Sequence, residues 1–184
     1  MPIIQPGAPG EPSRTVAPTV ASETPKFTEA DVKFMQGMIH HHAQALDMTA
    51  LLKTHTSSGD MQKLGQRIEL SQADEIKMMQ KWLEARGQDV PSEHAHHMGG
   101  APMMPGMLTP VQMDQLAAAK GTPFDRLFLQ FMIQHHQGAL TMVQQLYGTP
   151  GAAQDDMIFK FTSDMNADQT IEIERMNKML AALP

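Results

Sequence analysis

The sequence predicts an all-α fold, a four-helix bundle made of two repeated αα-hairpins joined by a long crossover. Two observations carry this. One helical segment occurs twice, as DVKFMQGMIHHHAQALDM (31–48) and as DRLFLQFMIQHHQGALTM (125–142). In register, Asp31 meets Asp125, Phe34 meets Phe128, Met38 meets Met132 and Ile39 meets Ile133. His41 likewise meets His135, His42 meets His136, Ala45 meets Ala139 and Met48 meets Met142. The segment following each copy also repeats. There Leu64 meets Phe161, Gln72 meets Gln169, Glu75 meets Glu172, Ile76 meets Ile173, Met79 meets Met176 and Leu83 meets Leu180. Each hairpin carries an apolar stripe that it cannot bury alone, so the two must pack face to face. Two hairpins with one long connection between them have the ferritin-like kind of topology.

Taken in order, residues 1–26 are rich in Pro, Gly, Ser and Thr and read as a tail that cannot bury enough apolar surface to fold alone. No basic start followed by an apolar run is present, so no signal segment is visible in this chain. A bundle is expected over 27–184, with a first hairpin at 27–87, a crossover at 88–123 and a second hairpin at 124–184. The first helix should run from about Thr28 to Thr54, with Thr28 capping and Asp31 completing a box-like start. The second should run from about Gly59 to Arg86, its inward face carrying Met61, Leu64, Ile68, Gln72, Glu75, Met79 and Trp82. Thr109-Pro110 should open a short helix to about Lys120, with Pro in the first turn that it favours. Gly121-Thr122-Pro123 then reads as a break. The third long helix is expected from about Phe124 to Tyr147, and the fourth from about Ala153 to Leu183 after the turn at 148–151. No strand is evident.

Composition narrows the function. A formal charge of −6 makes nucleic acid an unsuitable partner. No apolar run reaches the length of a membrane span. Cysteine is absent, which excludes disulfides, thiolate zinc sites and iron–sulfur clusters. No nucleophile elbow or glycine-rich phosphate loop is present, and the chain does not read as an enzyme. Methionine is abundant, at 18 residues. Methionine fills irregular cores well, but that use does not account for methionines in loops beside histidines.

A core has no need of a repeated pair of adjacent histidines. On a helix Met38 shares a face with His41 and His42, and Met132 with His135 and His136. The small Ala45 and Ala139 leave room beside them. Adjacent helical residues project about 100° apart, so one histidine of each pair is expected in the core and the other at its boundary. The repeat should bring His41 and His42 near His135 and His136, with Met38, Met48, Met132 and Met142 a turn away. Imidazole with thioether suits Cu(I), and imidazole alone suits Cu(II) or Zn(II). The alternative is a set of helix-interface histidines hydrogen-bonded to Glu75 and Glu172 or to Gln72 and Gln169. These four could also orient metal-bound histidines. A ferritin-like di-iron oxidase would need Glu-x-x-His on two helices, and here Met38 and Met132 stand three residues before His41 and His135. A second candidate cluster occupies the crossover, with His94, His96, His97, Met98, Met103, Met104 and Met107. A flexible His/Met tract can wrap a metal and exchange it.

These motifs carry a resemblance. M-I-x-H-H-x-x-A-x-x-M occurs at Met38–Met48 and Met132–Met142, and Q-x-x-E-I-x-x-M-x-x-W-L at Gln72–Leu83. P-G-M-L stands at 105–108 and F-D-R-L-F-L at 124–129. Together they resemble the DUF305 family of bacterial secreted or periplasmic proteins, over roughly residues 27–183. The resemblance implies a ferritin-like helical bundle and, since some members are implicated in copper binding and tolerance, a copper ligand role for the matching residues. Two positions depart from the pattern. His40 stands where Pro is frequent and adds a candidate ligand. Met179 stands where the second helix has Trp82. The expectation is thus an extracytoplasmic protein, secreted, periplasmic or lipid-anchored, that binds copper for sequestration or delivery. The competing expectation is a structural protein that self-assembles through Met-rich contact surfaces.

Overall fold

The computed structural model describes residues 3–5, 14–16, 27–92 and 103–184. His94, His96, His97 and Met98 lie outside the described residues. Five helices follow one another in the chain. They are α1 (Glu29–His55), α2 (Gly59–Glu84), the short α3 (Pro110–Ala118), α4 (Gly121–Tyr147) and α5 (Asp156–Ala182). Two short strands, β1 (Ile3–Gln5) and β2 (Arg14–Val16), pair antiparallel with Ile4 opposite Thr15. They correct the expectation of a strandless tail. Ile-Ile and Thr-Val are β-branched pairs that favour extended backbone, and pairing satisfies their peptide groups.

The helix starts follow local chemistry. Thr28 caps α1 in a capping box with Asp31, and Thr109 caps α3 in another with Gln112. Ser58 caps α2 and Asp155 caps α5. The start of α4 departs from expectation. Gly121-Thr122-Pro123 is its first turn rather than a break. The N–H that Pro123 lacks is one that a first turn leaves without an intrahelical partner anyway.

One end of the bundle is clamped. Asp31 Oδ1 accepts a 2.7 Å hydrogen bond from Ala153 N and so ties the α4–α5 turn to the start of α1. Asp155 accepts from Met157 N and Ile158 N as a cap, and also from Trp82 Nε1 at 3.2 Å and Arg86 at 2.5 Å. The Arg86 guanidinium lies 4.2 Å from the Trp82 ring centroid. Asp155 is thus buried within the clamp.

Helix α1 packs on both α2 and α4, and α4 packs on α5. The core falls into two apolar clusters. One gathers Met35, Met38, Ile39, Ile76, Met79, Trp82, Met142, Val143, Ile158 and Met165. The other gathers Met48, Leu52, Met61, Leu64, Ile68, Phe124, Phe128, Met132 and Met176. Every long helix passes from one cluster to the other near its middle. The residues at these crossings are His41 and His42, Gln72 and Glu75, His135 and His136, and Gln169 and Glu172. Among the described residues no helix is long and apolar enough to cross a membrane.

Candidate metal centre

A polar layer therefore divides the apolar core. All four histidines in it are buried, with at most 1 % of their surface exposed. This corrects the expectation of one core and one boundary histidine in each pair. Helix α1 has neighbours on two sides, so two side chains about 100° apart both find protein. His42 faces α2, where its Nε2 lies 2.5 Å from Glu75 Oε2. His41 faces α4, where its ring stacks on His135 with centroids 3.8 Å apart and planes at 39°. The second copy repeats the arrangement, with His136 Nε2 2.7 Å from Glu172 Oε2 on α5.

Hydrogen bonding fixes which ring nitrogens face a partner. A carboxylate can only accept, so the Nε2–H of His42 donates to Glu75 and that of His136 to Glu172, which leaves Nδ1 as the ring nitrogen turned away from the carboxylate. His41 Nε2 lies 3.0 Å from the Pro105 carbonyl oxygen, which likewise only accepts. The Nδ1 atoms of His41, His42 and His136 are buried without a partner, as are both ring nitrogens of His135. Gln72 is 2 % exposed and neither of its side-chain polar atoms is paired; Gln169 Oε1 is also unpaired. An unpaired buried polar atom costs about 1–3 kcal/mol, so so many in one layer need an explanation.

Electrostatics keeps the central pair neutral. Burial pushes the His41 imidazole down to about 3, aided by repulsion from His42 and opposed by the Pro105 carbonyl. Burial also holds His135 well below 6.5, with further repulsion from His41, His136 and His42, against a weak pull from the His41 backbone. Two uncharged imidazoles at neutral pH are in the form that binds metal.

The crossover closes over this layer. Gln44 is buried and embraces Leu108, donating from Nε2 to its carbonyl at 3.0 Å and accepting from its N–H at 2.7 Å. Gln134 Nε2 donates to the Gly106 carbonyl at 3.3 Å. On the other side the segment lies against α4 at Gly138. A Cβ at Gly138 would stand 2.1 Å from Pro105 O and 2.4 Å from Gly106 Cα. Only glycine lets the strap come this close to the helix.

The remaining expected ligands distribute as follows. Met38 and Met142 lie in the cluster on one side of the layer, and Met48 and Met132 in the cluster on the other. His40 is half-buried. In the crossover, Met103 is exposed, Met104 packs against the first cluster and Met107 is buried. The crossover methionines therefore do fill core space in part, because the strap is pressed onto α1 and α4. Glu75 and Glu172 bond histidines as one reading allowed, whereas Gln72 bonds none. Among the described residues no three His, Asp or Glu side chains converge on one point. The layer consists of two His–Glu pairs flanking a stacked His–His pair, with thioethers above and below. Sequence reasoning missed Gln44, Gly138 and the Pro105 carbonyl. Their signal was present, since Gln44 and Gly138 occupy equivalent positions where the two copies differ.

Residues 31–180 match the family described as "Domain of unknown function (DUF305)". Solved structures agree. A DUF305 protein of Streptomyces coelicolor, described as a candidate secreted protein, aligns at 28% identity and a TM-score of 0.72 over 83% of this chain and 92% of that one. A DUF305 fragment from Deinococcus radiodurans aligns at 28% identity and a TM-score of 0.72 over 86% of this chain and 100% of that one. CopM in its Cu(I)-bound form aligns at 28% identity and a TM-score of 0.63 over 81% of this chain and 94% of that one. CopM has also been solved in Cu(II)-bound and Ag-bound forms. A comparison with curated proteins finds no match. With the repeat, the helical fold and the matched residues in agreement, this chain belongs to the DUF305 family.

Proposed function

We propose that this chain is a metal-binding protein of the cell envelope rather than an enzyme, taking copper through histidine and methionine for sequestration or delivery. The observation that carries this reading is the set of unpartnered ring nitrogens on His41, His42, His135 and His136, buried in one layer and flanked by thioethers. Neutral imidazole and thioether together favour Cu(I), which soft donors hold well. Glu75 and Glu172 fix the outer rings from behind, the role that carboxylates commonly play for metal-bound histidines. The likeness to CopM, solved with Cu(I), Cu(II) and Ag, supports the choice of metal. The family match and the Streptomyces coelicolor relative support an extracytoplasmic setting. There, ligands free of cysteine hold soft copper without forming disulfides.

A Cu(I) competition titration against a chromophoric chelator tests the reading. It compares the wild type with a variant carrying His41→Ala, His42→Ala, His135→Ala and His136→Ala. Tight binding that is lost in the folded variant supports the layer as the site. Binding that survives moves it to the crossover, and no binding by the wild type removes copper from the account. The competing reading, assembly through Met-rich surfaces, has Met103 and Met157 as exposed contributors. A molecular mass that rises with concentration and ignores copper would favour it.

A further inference from the structure

The two copies of the repeat differ at position 37. Gly37 stands in α1 where the second copy has Phe131. Glycine inside a helix costs about 1 kcal/mol relative to alanine, so the hollow it leaves on α1 is maintained against helix propensity. Two thioethers fill it. Met104 Sδ lies 3.3 Å from where a Gly37 Cβ would stand, and Met142 Cε lies 3.6 Å from the same point. Met104 comes from the strap and Met142 from α4, so three segments meet there. Met104 is half-buried and Met142 retains 8% exposure, whereas Met38, Met48 and Met132 have none. Met103, next in the chain, is 54% exposed. One helical turn along α1, the residue after Met104 holds His41 Nε2 through its carbonyl. The thioethers of Met104 and Met142 thus lie between the exposed Met103 and the strap residue that bonds His41.

We propose that the hollow over Gly37 is a separate soft-metal docking point, in which Met104 and Met142 first take a monovalent ion and pass it to His41 and His135. This rests on the soft-metal reading above and adds the point of entry. The transfer exchanges thioether for imidazole donors with no change of oxidation state. The two thioethers share the ion at the surface, and the Nδ1 lone pairs of the stacked rings accept it below.

The test is Ag(I) titration of protein labelled at the methionine methyl carbons, with histidine ring nitrogens followed in the same samples. The expected result is that the Met104 and Met142 methyl signals move at the lowest Ag(I) additions, before other methionines and before the ring nitrogens. A Met104→Leu variant, which leaves the methionines beside the histidine layer in place, should keep its fold, read by Trp82 fluorescence. Its ring nitrogens should still reach the metal-bound position, while its rate of Ag(I) uptake falls on the order of tenfold, as loss of about 1.4 kcal/mol of coordination produces. If the ring nitrogens respond while the Met104 and Met142 methyls stay still, the docking point is wrong and the histidine site stands. If the leucine variant takes up Ag(I) at the wild-type rate, the docking point is likewise wrong. If neither methyls nor ring nitrogens respond, both readings fall.

Discussion

His41 and His135 meet as a tilted ring pair across the α1–α4 contact, 3.8 Å between centroids and 39° between planes, with no charge on either ring at neutral pH. Two imidazoles this close could not both be protonated without strong mutual repulsion. The contact is thus compatible with neutrality or with a shared metal, and it makes the protein sensitive to acid.

Stability should fall as pH drops below 6.5. The unfolded chain takes up a proton at each of these histidines near 6.5, while folded His41 does so only near 3 and folded His135 well below 6.5. In that window the unfolded state binds more protons, so acid favours it. Each of the two groups should remove roughly 1.4 kcal/mol per pH unit, from about pH 6.5 down toward the folded value. Asp155 adds a loss at lower pH. Burial works to raise its carboxyl, but hydrogen bonds from Arg86 and Trp82 hold it below its ordinary range. Urea unfolding followed by fluorescence of Trp82, the single tryptophan, checks this. A midpoint that does not change between neutral pH and about pH 5 would show that the histidines are not buried as described.

Removing a carboxylate partner should weaken both stability and metal affinity. Glu75→Ala leaves His42 Nε2 buried with no acceptor, and Glu172→Ala does the same to His136. Each should cost about 1–3 kcal/mol in the metal-free protein. Each should also lower metal affinity by about 10–100-fold, the usual consequence of losing a carboxylate behind a metal-bound histidine. Denaturation and the chelator titration measure the two effects separately.

Gly138→Ala should be destabilising out of proportion to its size. The added methyl meets backbone atoms of Pro105 and Gly106, which cannot swing away as a side-chain tip could. Overpacking of this kind costs about 1–3 kcal/mol, and it should also lift Pro105 from His41. Gly59→Ala at the start of α2 is the control. A Cβ there meets nothing, and helix propensity predicts a gain of up to about 1 kcal/mol. Equal effects at the two sites would remove the strap's close seating on α4.

The matched positions of the repeat made the helical pairs and the four histidines legible before any coordinates. Periodicity sees residues that recur, and the layer is built from them. The unmatched positions were opaque for the same reason. Gln44 against Gly138 and Gly37 against Phe131 break the symmetry, and those are the places where the crossover is received. Burial of both histidines in each pair depends on how many neighbours surround a helix, which a single helical face does not encode. The start of α4 was misjudged because Gly-Thr-Pro suits a break and a first turn alike.

The most direct test is nitrogen NMR of the histidine rings in the folded wild-type protein during addition of Cu(I) under reducing conditions. The account predicts that ring nitrogens of His41, His42, His135 and His136 without partners change as metal binds, while His55, held by Ala117 O and Thr54, does not. Copper bound with all four of these rings unchanged would contradict it, and the buried layer would then be a structural feature of the helix contacts.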